Sequence, residues 1–185
     1  MSFTCKARSQ VAVSFLPAMN PKFLIEQHED LIVHRWAEEI YRDRRTGHAA
    51  ALSYRQLVHH LPDLLDEFAH LLETNASRYE MAETAVRLRP FIYVRFQQGC
   101  LIDEVAHELT VLREVLAEFW WREFDKSAEN DLRELRRFLW CGHALLDELI
   151  EQVIVVYAAN YRPPVRTRAS VWPPPRRHKN DSTNY

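Results

Sequence analysis

The chain has 185 residues, 47% hydrophobic and 27% charged, which suits one soluble globular domain with a sizeable core. Three glycines are too few for Gly-rich phosphate loops or dinucleotide-binding fingerprints, which are excluded. The net charge of −2 is unevenly spread: residues 162–185 carry six Arg and Lys against one Asp, leaving −7 on residues 1–161, so no nucleic-acid partner is expected.

Residues 1–19 read as a disordered or mis-assigned start, with folded patterning beginning just after Met19. Their apolar run VAVSFL follows Lys6 and Arg8 but is short, and no A-x-A cleavage pattern follows it. No apolar run reaches the roughly 18–20 residues that span a bilayer, so no membrane partner is expected. Cysteines 5, 100 and 141 are widely spaced and lack a CxxC, which fits a reducing cytoplasm rather than a disulfide framework or zinc knuckle.

Asn20–Pro21 is a helix-start signal, and Phe23, Leu24, Leu31, Ile32, Trp36 and Ile40 recur at helical spacing to about Arg45. The segment TGHAAALS forms a loop. Ser53 with Gln56 reads as a capping box that opens a second helix, its stripe running from Tyr54 to Leu72. Pro62 inside that pattern predicts a kink or a late start. A second capping box, Ser77 with Glu80, opens a third helix towards Gln98, which Pro90 should bend or split.

After Gly99 comes an amphipathic fourth helix, with Leu101, Ile102, Val105, Leu109, Leu112, Leu116 and Phe119 on its stripe, ending near Asp125. Ser127, Glu129 and Asp131 cap and charge the start of a fifth helix, which runs to about Tyr161 over roughly 50 Å. Between Phe138 and Ala158 this helix is apolar on nearly every side and must be covered all round. The expected cover is a second copy of the chain, met by Trp120, Trp121, Leu139, Leu146, Ile150, Val153, Ile154 and Tyr157. A fully buried central helix in a monomer is the alternative. Residues 162–185 are Pro- and Arg-rich and read as a disordered tail, with a polyproline ligand or an electrostatic contact as the alternative.

Glu67–His70 and Glu104–His107 form a repeated Glu-x-x-His, the spacing that builds di-iron sites in four-helix bundles, with Glu38 or Glu39 and Glu80 or Glu83 available to complete it. At about 100° per residue both pairs fall away from their apolar stripes, so they should face outwards, where no di-iron site can form. His143 is the histidine in the most apolar context, as a haem ligand or a satisfied core residue. His107–Glu108–Leu109 is similar to the phosphoacceptor box of sensor histidine kinases, which would make the chain a phosphotransfer substrate. No Ser or Cys carries a base-and-orienter pattern. Arg95, Gln98, Gly99, Glu108 and Arg113 remain: Gly99 reverses the chain, and an Arg and a Glu on facing helices can pair across the seam. Alternatively these polar groups line a small pocket.

The run V-R-F-Q-Q-G-C-L-I-D-E-V-A-H-E-L-T-V-L-R (94–113) resembles the R-x-x-Q-G-aromatic-x-x-x-E-x-x-x-E-x-x-x-L-R run of the RsbRD amino-terminal domain family, sensory domains of RsbT co-antagonist proteins in bacterial stressosomes. Upstream, H-R-W-A-E-E-I and L-V-H-H-L-P-D-L-L-D-E-F look like that family's first two helices. The resemblance covers roughly residues 22–125 well and extends through the fifth helix. It implies a globin-like fold without haem, dimerising through its last two long helices and acting as a signal-input module. The expectation is an all-α, globin-like bundle of about five helices over residues 20–161: a cytoplasmic, non-enzymatic sensor or adaptor without cofactor. It would act as a homodimer with a stress-signalling protein partner.

Overall fold

The computed structural model describes residues 20–47, 49–126 and 132–160, and its described residues form seven α-helices. They are α1 (Pro21–Arg42), α2 (Tyr54–Val58), α3 (Leu61–Glu73), α4 (Arg78–Arg87), α5 (Arg89–Gln97), α6 (Ile102–Lys126) and α7 (Leu132–Asn160). The readings of residues 1–19 and 162–185, and of Ser127, Glu129 and Asp131 as caps, lie outside the described residues.

All five helical patterns are present, and prolines divide two of them. Pro62 stands in the first turn of α3 and Pro90 in the first turn of α5, where a missing N–H breaks no helical bond. The Asn20 side-chain oxygen Oδ1 accepts the N–H groups of Lys22 and Phe23 at 3.0 and 3.3 Å. Both capping boxes form, Ser53 with Gln56 on α2 and Ser77 with Glu80 on α4. Helix α6 uses half of the same device, because Glu104, its third residue, accepts the Leu101 N–H at 2.8 Å.

The core is built around Trp36, Phe68, Trp120 and Phe138, all almost completely buried. Helix α7 packs against α3, α4, α5 and α6, and buries Leu135, Phe138, Cys141, Leu145, Leu149, Val153 and Val156. A second copy of the chain is the cover expected for this rod; four helices of the same chain cover most of it instead. Trp140, Ile154 and Val155 are the large apolar side chains of its 138–158 stretch that stay exposed.

Polar ties from the neighbouring helices hold α7 in register. Arg78 Nε meets Glu148 at 3.3 Å, Arg89 Nε meets the Gln152 side-chain oxygen at 2.8 Å, and Arg137 donates to the Leu72 carbonyl at 2.6 Å. No helix of the described residues is long and apolar enough to cross a membrane.

Candidate functional site at the α5–α6 seam

The seam is made by a reversal of the chain. Gly99 has φ of +84°, a left-handed conformation that glycine adopts without a Cβ penalty. The Gly99 N–H donates to the Phe96 carbonyl and the Cys100 N–H to the Arg95 carbonyl, both at 3.1 Å, so the end of α5 is closed as α6 begins. This turn brings Arg95 of α5 against Glu108 of α6.

The two side chains are 1% and 0% exposed, with Arg95 Nε donating to Glu108 Oε2 at 2.8 Å. Arg95 also donates to the Gln98 side-chain oxygen at 2.9 Å, to the Gln56 carbonyl at 3.2 Å and to the Leu57 carbonyl. Those two carbonyls lie at the end of α2, a helix too short to satisfy them itself. The guanidinium also lies over the Phe91 ring, 5.2 Å from its centroid. One arginine therefore joins three helices.

Burial pushes the Glu108 carboxyl upwards, and the Arg95 guanidinium opposes that shift. Its Oε1 is buried with no hydrogen-bond partner among the described residues. The Glu108 carbonyl meanwhile accepts the Trp36 indole N–H at 3.0 Å, which ties α1 to the same point. Beside it, burial raises the Cys100 thiol to about 11, with the Glu108 charge adding to the effect. The Tyr157 hydroxyl donates to the Cys100 carbonyl at 2.7 Å, and its ring meets Phe96 edge-on at 5.2 Å. Burial raises this phenol as well.

Arg95, Gln98, Gly99 and Glu108 thus converge. Arg113 does not join them; it sits further along α6 and pairs with Asp147 of α7. The residues expected at an interface also divide. Trp120, Leu146 and Val153 are buried in the chain's own core, and Leu139, Ile150 and Tyr157 are partly buried. Trp121 and Ile154 are 59% and 56% exposed.

The outward orientation expected for Glu104 and His107 is corrected. Glu104 is 5% exposed, and the His107 side chain is 15% exposed with Nε2 at 2.7 Å from Asp43. The loop after α1 lies over this side of α6, with Gly47 so close to Glu104 that an added Cβ would stand 3.7 Å from its carboxylate. A helical wheel shows the face that meets another helix but not the face that a loop covers. Asp43 itself carries no sequence signal, being an acid in a run of arginines. Its carboxyl is held far below the usual range by hydrogen bonds from Arg45 and then from His107. Glu67 pairs with Arg87 at 2.9 Å on the surface, while His70 and His143 are exposed. His143 is therefore not a core histidine. No group of three or more His, Cys, Asp and Glu among the described residues could hold a metal ion.

Chemically, the seam is a lock. Its one thiol is pushed away from the reactive thiolate, its carboxylate is engaged by arginine, and His107 is held by Asp43.

A protein-family model described as RsbT co-antagonist protein rsbRD N-terminal domain matches residues 30–171, well over half the chain. The chain belongs to this family. The match takes in every residue of the RsbRD seam, and the RsbRD domains are modules of stress-response signal transduction. No curated protein and no solved structure matches the chain.

Proposed function

We propose that this RsbRD domain is a non-catalytic signal-input module of a stressosome-like system, working through protein contacts as a homodimer. The bundle is globin-like in this reading but is filled by its own side chains and holds no haem. A signal or partner shifts the packing of α5 and α6 around Gly99, and α7 transmits the shift through the Tyr157–Cys100 tie.

The observation that carries the dimer is the apolar surface left on α6 and α7. Trp140 and Ile154 lie fourteen residues apart, about four helical turns, so they share one face; both are more than half exposed. Trp121 of α6 adds a third large exposed side chain. Large apolar side chains left in solvent on two helices that pack together are the surface that a second copy would cover.

Sedimentation of the full chain at micromolar concentration tests this. The expected species is a dimer, converted to monomer by Ile154→Arg with the helical content unchanged. A monomeric parent protein overturns the mechanism. The cofactor-free reading is checked by elemental analysis and the absorbance spectrum, where stoichiometric iron or haem would contradict it.

A further inference from the structure

A groove of about 490 Å³ opens between α3 and the corner where α4 meets α5. Leu88, Pro90 and Phe91 line it on one side, and Asp63, Asp66 and Glu67 on the other. Among the described residues Arg87 pairs with Glu67 and donates to Thr84, His60 stands 3.7 Å from Asp63, and no cation pairs with Asp66. The excess negative charge extends to α1. The Glu29 carboxyl is raised, first by burial and then by Asp66, Asp30 and Asp63.

Residues 162–185, RPPVRTRASVWPPPRRHKNDSTNY, have the complementary character. Six cations against one acid match the acidic side, and Val171 and Trp172 match the apolar one. Proline-rich segments carry little ordering entropy into such grooves, where apolar residues take the floor and arginines take the acids.

The reach suffices. Gln152 of α7 is tied to Arg89, next to the groove's Leu88 and Pro90, and Asn160 lies eight residues beyond, about 12 Å along the helix. Another eight residues at about 3.1 Å each bring Arg168 back over that distance with length to spare.

We infer that the chain's own segment around residues 166–179 docks in this groove, with Val171 and Trp172 over Leu88, Pro90 and Phe91 and its arginines against Asp63 and Asp66. The groove is an internal docking site that couples the basic end of the chain to α3 and to the α4–α5 corner. It is distinct from the α6–α7 face, and its occupancy does not depend on dimerisation.

Lysine occurs only at 6, 22, 126 and 179, so zero-length carbodiimide coupling of lysine to carboxylates is selective. The full chain, mixed from isotopically heavy and light protein, is coupled at low salt and mapped by mass spectrometry. The expected product joins Lys179 to Asp63, Asp66 or Glu67 within one chain. In the double variant Asp63→Asn/Asp66→Asn, whose replaced side chains are exposed, the Lys179–Glu67 product falls about tenfold while helical content is retained. Three results overturn the inference: no Lys179 product with these carboxylates, an undiminished Glu67 product in the variant, or products that join heavy to light chains.

Discussion

Arg95 and Glu108 meet at 2.8 Å with almost no solvent on either side chain, so neither is rehydrated when the other is removed. Removing one partner of such a pair costs about 3–5 kcal/mol, because the other charge is left stranded. Arg95→Met and Glu108→Leu should each destabilise on that scale. Arg95→Met is the more severe, since the Gln56 and Leu57 carbonyls lose their donor as well. The double variant should be clearly more stable than the sum of the two losses predicts. Denaturant unfolding gives the coupling; strictly additive losses would show that the pair is not a unit.

At Gly99 a Cβ would meet no atom within 4 Å, so substitution tests the backbone alone. The left-handed conformation costs an ordinary residue about 1–2 kcal/mol and asparagine less. Gly99→Ala should lower the melting temperature and Gly99→Asn should lower it by a smaller amount. Equal melting of all three proteins would contradict the conformation.

Asp43 has a folded-state pKa depressed by its bonds to Arg45 and His107. A depressed carboxyl adds stability that is fully present above its unfolded value, near 3.8, and is lost as pH falls through the folded value. Asp43→Asn should therefore be less stable at neutral pH and decline less steeply with acid. Melting temperatures across the acid range decide it, and parallel curves for the two proteins would refute the assignment.

Cys100 and Cys141 are both buried, with thiols pushed up to about 11. At pH 8 only about one thiol in a thousand would then be ionised. Alkylation at these two positions should be slow in the native protein and fast in denaturant, with peptide mapping reading each site. Rapid native labelling of Cys100 would mean that the α5–α6 turn opens readily.

Much of this arrangement was legible because it rests on local chemistry. Asn20, Ser53 and Ser77 announce helix starts whatever lies around them, and Pro62 and Pro90 break helical patterns wherever they occur. The Arg95–Glu108 pairing also follows from short range, since Gly99 folds two adjacent helices together. The orientation of Glu104 and His107 did not follow, because the loop that covers them lies some sixty residues earlier in the chain. Nor did the wrapping of α7: periodicity shows that an apolar helix needs cover, while the choice between sister helices and a second copy is made by packing. Arg113 shared a run of sequence with the seam, but its place around α6 takes it to Asp147 instead.

Tyr157 grips the turn through the Cys100 carbonyl, a group that every amino acid supplies. The connection between α7 and the α5–α6 reversal is thus blind to the identity of residue 100. As sequences diverge, that position can exchange side chains of similar volume without cutting the link, whereas loss of the hydroxyl at 157 severs it at once. What is inherited here is a main-chain handle, and the residue that has to be kept is the one that holds it.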